Sequence, residues 1–388
     1  MKLAVVSHKL CWPSTGSPTG YATDGGFPFQ IEAISELFDK TRVVVPSEIS
    51  PTVGLSPMKG HGMKVICISA LNGRGFTRKL RFPFWLLKNG RVIWREVSEA
   101  DAVHTPIPGD IGTIGMLFAL LLRKPLFVRH CGNWFVQRTA AERFWKWSME
   151  YFGGGTNVML ATGGSADAPS HRNKNIKWIF STSLRREQIE SNKPHMLPDS
   201  GHIRLAIACR QEPRKGTDVV IKSMPDILKM FPNASLDVIG DGSRLLECQK
   251  MAEHLGLSRS VTFHGKLEHS EVLAILKQTH IFCFPTDASE GFPKAVLEAL
   301  ASGVPVITTR VSVLPELMKS GCGMLINSPS SSELAETVNR ICSNKKKYHE
   351  MSTAAIETAK QYSLEGWKDR LGEILRRSWD VKSLSNDL

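Results

Sequence analysis

The stretch Glu290–Ile307, EGFPKAVLEALASGVPVI, predicts a short apolar helix followed by a buried strand. Pro293 suits a first helical position, because its missing N–H would have no partner there and its φ is already helical. The Gly-Val-Pro that follows the run Val296–Ala301 ends the helix. Glu298 lies inside this otherwise apolar run, and a buried carboxylate is costly unless something pairs with it. We therefore interpret the helix as part of a ligand site; an exposed glutamate on a surface helix is the alternative.

The spacing of the two glutamates in this stretch indicates the kind of ligand. A helix amino terminus offers unpaired N–H groups and the positive end of the helix dipole, which suits phosphate. Glu298 lies about 7–8 Å further along the helix axis than Pro293, at about 1.5 Å per residue. A ligand with phosphate at the helix start would present hydroxyl groups to Glu290 on one side and to Glu298 on the other. A nucleotide sugar has this arrangement.

The same residues resemble the E-x7-E signature of the retaining, GT-B-fold glycosyltransferases of family 4, also called glycosyl transferases group 1. The resemblance implies that Glu290 holds the transferred sugar and that Glu298 binds the ribose of the donor. It also implies donor contacts for the neighbouring residues Gly291, Phe292, Lys294, Ala295 and Val296.

A basic loop follows the predicted strand Arg204–Ala208. It reads Arg210-Gln-Glu-Pro-Arg-Lys215-Gly216, and a predicted helix comes next. Two cations beside a helix start would neutralise a diphosphate leaving group as negative charge develops on it. By the resemblance, Arg210 and Lys215 match the family's Arg and Lys-Gly, which contact the pyrophosphate. A solvated basic loop is the alternative interpretation.

Two glycine turns follow the next two predicted strands. Gly240-Asp241-Gly242 comes after Ser235–Ile239, and His264-Gly265-Lys266 comes after Val261–Phe263. Each is a weak signal by itself, because a turn with glycine after a strand is common. Together they resemble the family's G-D-G and F-x-G turns, of which the latter lies near the nucleotide base. The resemblance implies donor contacts for Gly242, His264 and Gly265.

The first half of the chain offers two further candidates. Gly25-Gly26 ends a long loop after the first strand and resembles the family's diglycine loop, which approaches the donor phosphate and the acceptor. The glycine spacing in this loop excludes the GxGxxG dinucleotide fingerprint. The predicted strand Leu126–Arg129 ends in His130, and the resemblance implies that this histidine reaches the donor sugar. A structural histidine is the alternative.

The resemblance implies a transfer that retains configuration without a side-chain base. A retaining glycosidase needs two carboxylates about 5–5.5 Å apart, which a loop glutamate and a helical glutamate along an elongated donor do not obviously supply. In the family the acceptor hydroxyl attacks the face that the phosphate leaves, and this phosphate helps to remove the proton. The enzyme then contributes orientation and stabilisation of the departing diphosphate. The predicted catalytic residues are His130, Arg210, Lys215 and Glu290.

Strand-like and helix-like runs alternate along the chain, which is typical of α/β proteins with parallel sheets. By the resemblance, the architecture is GT-B: two facing Rossmann-like domains, a cleft between them, and a C-terminal helix that crosses back to the first domain. We expect the acceptor-side domain at residues 1–195, the nucleotide-sugar domain at 196–365, and the last helix at 366–388.

Charge is unevenly distributed along the 388 residues. Residues 1–200 carry 25 Lys/Arg against 15 Asp/Glu, so most of the formal charge of +12 falls there and favours an anionic partner. Residues 74–95 interleave cations with bulky apolar side chains. This pattern suits an anionic membrane surface, and it equally suits a surface helix with a solvated face. Nucleic acid is excluded, because no recognised binding motif accompanies the charge.

The sequence also bears on compartment and cofactors. The apolar run in MKLAVVSHKL is too short for a signal peptide, and Ile111–Leu122 is below the ~20 residues that a membrane span needs. The eight cysteines form no C-x-x-C pair, which predicts neither a zinc site nor a disulfide framework. We expect a cytoplasmic protein, peripheral on the inner face of the membrane if 74–95 binds lipid. No metal or cofactor is expected beyond the UDP- or GDP-linked substrate.

These features predict a hexosyltransferase that moves a sugar from a nucleotide sugar to a glycan or lipid-linked acceptor in cell-envelope or exopolysaccharide synthesis. Three alternatives remain open. A GT-B-fold nucleotide-sugar epimerase would use a similar cleft, a glycoside hydrolase would act without nucleotide, and a non-catalytic partner would bind the donor and transfer nothing.

Overall fold

The computed structural model describes residues 1–49, 55–71, 73, 75–132, 134–137, 139–164, 167–199, 201–288 and 291–385. The chain divides into two compact units. Unit 1 comprises the described residues of Met1–Gly163, Asp167–Ser183 and Leu364–Leu388, and unit 2 those of Leu184–Ser363 together with Gly164.

Unit 1 is an α/β unit built on a parallel sheet. Its strands are β1 (Lys2–Val6), β2 (Trp12–Pro13), β3 (Tyr21–Thr23), β4 (Lys40–Ser47), β5 (Ser56–Pro57), β6 (Met63–Ser69), β7 (Ala102–Ile107), β8 (Leu126–His130), β9 (Asn157–Thr162) and β10 (Lys177–Ile179). Its first four helices are α1 (Phe27–Ser35), α2 (Gly75–Ser98), α3 (Asp110–Leu121) and α4 (Ala140–Phe152). Among the described residues the main sheet has the order β10-β9-β8-β7-β1-β4-β6, and β2, β3 and β5 form a small antiparallel sheet. Every residue of β7 is buried, because helices cover both faces of a parallel sheet.

Unit 2 repeats this construction. Its strands are β11 (Arg204–Ala208), β12 (Ser235–Ile239), β13 (Val261–Gly265), β14 (Ile281–Phe284), β15 (Val306–Thr308) and β16 (Gly323–Leu325). Its helices are α5 (Arg186–Glu190), α6 (Thr217–Met230), α7 (Leu245–His254), α8 (His269–Leu276), α9 (Lys294–Ala301), α10 (Leu314–Met318), α11 (Ser331–Cys342) and α12 (Lys345–Gln361). In the part of unit 2 that is described, the sheet order is β13-β12-β11-β14-β15-β16, with parallel pairing throughout. The predicted α/β fold with two parallel sheets is confirmed.

The last helix, α13 (Leu364–Trp379), belongs to unit 1. Its apolar stripe, which includes Trp367, Leu371, Leu375 and Trp379, is buried. Trp379 packs at 6.3 Å from Phe38 and 6.2 Å from Phe127, and its indole N–H donates to Thr156 O at 2.9 Å. The end of the chain therefore completes the core of the unit that contains its beginning.

The boundary between the units differs from the expected one. Residues 184–195 were expected in the first domain, but they group with unit 2. Ile189 of α5 is fully buried there, and the Asn192 side-chain amide donates to Ala301 O at 3.0 Å. Pro194, Pro198 and Gly201 mark a real loop, but the chain has already entered unit 2 before it reaches them.

Membrane spans were sought among the helices of the described ranges. None of these helices combines the length and the apolar character that crossing a bilayer requires.

Candidate functional site

A cavity of about 500 Å³ opens in unit 2 where three neighbouring strands end. It is lined by residues that follow or end β11, β12 and β13, and by residues of α8 and α9: Ala208, Cys209, Arg210, Ile239, Gly240, Asp241, Lys266, Leu267, Val272, Lys294, Ala295 and Glu298. Ligands of open α/β sheets bind outside the carboxyl ends of the strands, which is the position of this cavity.

Helix α9 supplies one wall of the cavity. It runs from Lys294 to Ala301, with Pro293 at the N-cap and its apolar face, including Val296 and Leu300, in the core. The amino ends of helices carry N–H groups without intrahelical partners. Lys294 and Ala295, the first two residues of the helix, both line the cavity. The cavity therefore meets the positive end of a helix, as a phosphate site requires.

Glu298 lies one turn further along α9 and also lines the cavity. Its side chain is 13% exposed, and its Oε1 lies 3.2 Å from Nε2 of His269, the first residue of α8. The hydrogen bond to Glu298 raises the pKa of His269 above its ordinary value, against the opposing effect of burial. The carboxylate that the sequence placed in an apolar helix therefore has a partner, and the pair stands at the cavity wall.

The loop 210–216 carries the predicted phosphate-binding cations. Arg210 is exposed and lines the cavity, and Lys215 is half-buried. Hydrogen bonds of the Gln211 side chain fix the loop. Its amide nitrogen donates to Cys209 O and Ile239 O at 3.1 Å each, and its amide oxygen accepts from the Thr217 hydroxyl at 2.7 Å. This bonding fixes the backbone on both sides of the two cations.

Gly216 forms the N-cap of α6 in the left-handed conformation, with φ 87°. A Cβ built there would lie 2.4 Å from Pro285 O, so a side chain does not fit at this position. The Lys-Gly pair of the sequence therefore has a steric cause. Lys215 precedes a turn at Gly216 whose conformation and close packing only glycine allows.

Arg214, between the two candidate cations, faces a different part of unit 2. Its guanidinium contacts Asp287, with Nε to Oδ1 at 3.1 Å, and its carbonyl accepts from the Thr286 hydroxyl at 3.0 Å. It lines a separate cavity of about 350 Å³ and not the one at the strand ends. Arg214 therefore ties the loop to the chain that leads towards Glu290.

The side chain of His264, whose donor contact stays a prediction, bonds within unit 2. Its Nε2 lies 2.7 Å from Oδ1 of Asp237, whose Oδ2 accepts from Nε of Arg204 at 2.6 Å. Burial would raise the pKa of Asp237, but the hydrogen bonds from Arg204 and His264 outweigh it and hold the pKa below its ordinary value. His264 is absent from the residues that line the cavity. It contacts a buried aspartate, and Lys266 and Leu267 line the cavity.

The glycines of the two turns shape the edge of the cavity. A Cβ on Gly240 would lie 1.9 Å from Cys209 O, and one on Gly242 would lie 2.5 Å from Gln211 O. Gly265 adopts φ 64° with open space around it. Neither Gly242 nor Gly265 lines the cavity. Gly242 lets the Gln211 backbone approach, and Gly265 supplies a left-handed turn.

Some of the predicted donor-contact residues around α9 line the cavity, and others pack in the core of unit 2. Val296, predicted to contact the donor, has a fully buried side chain in the core, and its N–H donates to Pro293 O at 3.1 Å. The side chain of Val296 therefore lies in the core, and its donor contact stays a prediction. Phe292 packs against Tyr362 with ring centroids 5.5 Å apart, which anchors the segment before α9. Gly291 is half-buried, and Glu290 lies outside the described residues.

The first-half candidates lie in unit 1. His130 ends β8, is 1% exposed, and has no hydrogen-bond partner within the described residues at Nδ1 or Nε2. Burial lowers its pKa to about 4, so the ring is neutral near pH 7. Gly25 has φ 69°, and Gly26 is the N-cap of α1. Both ring nitrogens are closed off from solvent, and the donor-sugar contact of His130 stays a prediction.

Sequence reasoning missed several residues of the cavity. Asp241 and Lys266 line it; they lie in the two glycine turns, but neither was among the predicted contacts. His269 stands beside it and belongs to no pattern in the sequence. His269 is a lone histidine at a helix start, and only the fold brings it to Glu298, 29 residues away along the chain.

Comparison with known proteins agrees with this geometry. Residues 188–358 match the profile of the family described as glycosyl transferases group 1. One relative is a phosphatidyl-myo-inositol mannosyltransferase of Mycobacterium leprae, 24% identical over 180 residues, or 46% of each chain. Another is a GDP-mannose-dependent monoacylated alpha-(1-6)-phosphatidylinositol monomannoside mannosyltransferase of Corynebacterium glutamicum, 30% identical over 44% of this chain and 46% of its own. The chain thus matches about half the length of these curated relatives.

Solved structures resemble nearly the whole chain. Anabaena HepE in complex with UDP aligns with a TM-score of 0.71 at 15% identity, covering 97% of this chain and 100% of its own. Sucrose-phosphate synthase of Thermosynechococcus elongatus aligns with a TM-score of 0.68 at 15% identity, covering 98% and 99%. At these identities the likeness shows the fold alone.

Residues 188–358 therefore resemble the glycosyl transferases group 1 family, and the chain has the α/β fold of the solved GT-B glycosyltransferase structures.

Proposed function

We propose that the protein is a retaining glycosyltransferase of family 4. It moves a hexose from a UDP- or GDP-linked donor to a glycan or lipid-linked acceptor in cell-envelope or exopolysaccharide synthesis. The observation that carries the proposal is the cavity at the ends of β11–β13, which joins a helix amino end, an arginine and a carboxylate. The helix amino end and the arginine suit the diphosphate of a nucleotide sugar, and the carboxylate suits its ribose.

The donor's diphosphate lies, on this proposal, between Arg210 and the first turn of α9, and Lys215 of the same loop adds positive charge. The sugar–phosphate bond breaks as negative charge grows on the leaving oxygen, and groups already pointing at that oxygen lower the barrier. Glu298 accepts hydrogen bonds from the ribose, and Glu290 orients the transferred sugar. The sugar contact of His130 stays a prediction. No metal ion is required, because Arg210, Lys215 and the helix end supply the positive charge.

Retention follows if the acceptor hydroxyl attacks from the side that the diphosphate leaves. The acceptor oxygen forms the new bond to the sugar carbon, the old bond to the phosphate oxygen breaks, and the acceptor's proton passes to that oxygen. The departing diphosphate is thus the base. The chain's contribution is orientation and charge stabilisation.

A phospholipid-linked acceptor is favoured by the relatives, whose names describe transfer to phosphatidylinositol lipids. Unit 1 offers a surface that would meet such a lipid. On α2 the exposed side chains Leu80, Phe84 and Leu87 form one stripe at spacings of four and three, with Phe84 76% and Leu87 82% exposed. The exposed cations Arg81, Lys88, Arg91 and Arg95 flank this stripe.

The neighbouring helices extend the apolar surface. Phe144, Trp147 and Tyr151 of α4 are exposed on one helix face, and so are Leu117 and Leu121 of α3. The helices adjoin, because Trp94 of α2 meets Phe118 of α3 at 5.1 Å and the Trp145 indole N–H of α4 donates to Thr113 of α3 at 2.8 Å. Aromatic rings and cations around an apolar stripe suit the interface of an anionic bilayer. We therefore place the protein at the inner face of the cytoplasmic membrane.

The donor assay tests the proposal. Purified protein is incubated with a panel of UDP-, GDP- and ADP-sugars, and nucleoside diphosphate release is followed with and without envelope lipid, in EDTA. We expect release from one UDP- or GDP-sugar that rises when lipid is added. The Glu298→Ala variant should bind free nucleoside diphosphate about 10- to 100-fold more weakly, since hydrogen bonds to a charged group are worth about 1.5–3 kcal/mol. Glu253→Ala, an exposed glutamate on α7, is the matched control.

Other outcomes of the donor assay would indicate one of the three alternative functions. Sugar release without nucleotide indicates a hydrolase, interconversion of nucleotide sugars indicates an epimerase, and binding without release indicates a non-catalytic partner. Each of the three contradicts transfer.

The membrane surface is tested separately by co-sedimentation with phosphatidylglycerol and phosphatidylcholine vesicles. We expect binding to the anionic vesicles, weakened about tenfold or more in a Phe84→Ser/Leu87→Ser variant, because each residue buries an exposed apolar side chain worth about 1.5–3 kcal/mol. Leu246→Ser, an exposed leucine on α7 of unit 2, should bind as the wild type does. Equal binding by all three proteins would reject the surface.

A further inference from the structure

Unit 1 contains a cavity of about 500 Å³ that the proposed transfer does not use. It lies between α13 and the segment that leads into β10, the edge strand of the main sheet. Helix α13 contributes one stripe at spacings of three and four, and the segment contributes residues before and within β10. The lining residues are Ala168, Pro169, Lys174, Ile176, Lys177, Trp178, Arg370, Glu373, Ile374, Arg377 and Ser378, which we call the α13 groove.

The floor of the α13 groove is apolar and fixed. Ile176 is buried, and Ile374 of α13 is half-buried. The Trp178 indole N–H donates to Asp167 O at 2.7 Å, and Phe135 packs 5.3 Å from the same ring system. Both contacts limit rotation of the indole. A ligand would therefore find a flat aromatic surface already in position, without an entropic cost for ordering it.

The rim of the groove is cationic. It holds Lys174, Lys177, Arg370 and Arg377 against one carboxylate, Glu373. Arg377 already pairs with Glu373 at 2.6 Å. Lys174, Lys177 and Arg370 form no ion pair with any residue of the described ranges. The excess positive charge is thus unneutralised and surrounds a concave apolar floor.

We propose that the α13 groove binds a phosphate-bearing ligand. The ligand's ring or apolar part lies against Trp178 and Ile374, and its phosphate lies among Lys174, Lys177 and Arg370. An exposed lysine by itself usually extends into water. Here the fixed aromatic floor and a volume within the usual range of ligand cavities distinguish the groove from a solvated surface.

Two sources could supply this chemistry: a soluble nucleotide or the headgroup of an anionic phospholipid. Either would join the C-terminal helix to the edge of the unit 1 sheet. Because a ligand that binds only the folded state stabilises it by mass action, occupancy should raise the melting temperature of the protein.

The test uses AMP, adenosine, inorganic phosphate and phosphatidylglycerol vesicles as probes. Binding is measured by calorimetry for the soluble probes and by co-sedimentation for the vesicles. The vesicle experiment uses protein that also carries Phe84→Ser/Leu87→Ser, so that the exposed apolar stripe of α2 does not contribute to binding. The groove variant is Lys177→Glu/Arg370→Glu, with Lys177→Gln/Arg370→Gln as a milder form in case charge reversal impairs folding. Lys382→Glu, an exposed lysine outside the groove, is the matched control.

We expect AMP to bind more tightly than adenosine or phosphate alone, or the vesicles to bind, with at least tenfold weaker binding in the groove variants and none of this loss in the control. Loss of AMP binding identifies a soluble ligand, and loss of vesicle binding alone identifies a lipid headgroup. Unchanged binding of both probes in both groove variants overturns the proposal. An Arg210→Ala variant separates this site from the unit 2 cavity, because it should leave the groove-dependent binding intact even if the proposed donor site is wrong.

Discussion

At the scale of single residues, the pair Glu298–His269 shows how a carboxylate inside an apolar helix is kept in place. Glu298 is nearly buried, and the imidazole 3.2 Å away satisfies one of its oxygens. Lys294, one turn before it, opposes the charging of His269 by repulsion. The carboxylate is therefore paired in the folded protein, as a nearly buried charge requires.

The first prediction concerns pH. The pKa of His269 is raised in the folded protein, so its pairing stabilises the fold fully below the unfolded pKa of about 6.5 and loses this contribution as pH rises through the folded pKa. The free energy of unfolding of wild type minus that of His269→Gln should therefore be larger near pH 6 than near pH 9, measured by urea denaturation. His254→Gln, a histidine at the end of α7, is the control. A difference that is flat or grows with pH would contradict the pairing.

Lys215 provides the second prediction. If Lys215 contacts the diphosphate as proposed, that contact strengthens as charge develops. Lys215→Ala should then lower kcat by about 10²–10³-fold while changing donor affinity less than tenfold. Steady-state kinetics with donor titration separates the two quantities. Lys250→Ala, exposed on α7, should leave both unchanged. Transfer at the parental rate by Lys215→Ala would remove the leaving-group role.

At the scale of elements, the start of α6 depends on a glycine. Gly216→Ala would place a Cβ 2.4 Å from Pro285 O in a left-handed conformation, so both strain and a clash should destabilise unit 2. Gly256→Ala is a matched control, because Gly256 has φ 71° and open space around it. We expect the control to cost about 1–2 kcal/mol from conformation alone and Gly216→Ala to cost more, measured by denaturant unfolding. Equal costs would show that the loop relaxes and that the clash is not real.

The elements of unit 2 were predictable because their periodicity is local. Strand Val306–Thr308, helix Lys294–Ala301 and the turn at Gly216 all follow from apolar runs bounded by glycine and proline. The two glutamates and the Arg/Lys loop were visible for the same reason, as fixed spacings next to such elements.

Other parts of the site were not predictable, because they depend on contacts between distant segments. His264 bonds Asp237 of a neighbouring strand, and His269 reaches Glu298 from another helix. Val296 looked like a site residue by its place in the motif, but helix geometry points it into the core, half a turn away from Glu298. The predicted unit boundary lies too late in the chain. The turn residues near Pro198 come after the point at which the chain leaves the core of unit 1 and joins that of unit 2.

At the scale of the whole molecule, the chain's end stabilises its beginning. Trp379 is buried between Phe38 and Phe127 of unit 1, so Trp379→Ala should lower the free energy of unfolding of unit 1 by about 3–5 kcal/mol. Nucleoside diphosphate binding by unit 2 should persist. Trp147→Ala, on the exposed face of α4, should cost less than about 1 kcal/mol. Denaturant unfolding followed by calorimetric binding distinguishes these outcomes, and an unaffected unfolding curve for Trp379→Ala would contradict the packing.

The central claim is that the cavity at the carboxyl ends of β11–β13 holds the nucleotide part of an activated sugar. A crystal structure of the protein grown with saturating UDP or GDP tests it most directly. The account predicts the diphosphate at the amino end of α9 beside Arg210, with a ribose hydroxyl within about 3 Å of the Glu298 carboxylate. A nucleotide bound elsewhere, or this cavity filled by its own side chains at saturation, would contradict it.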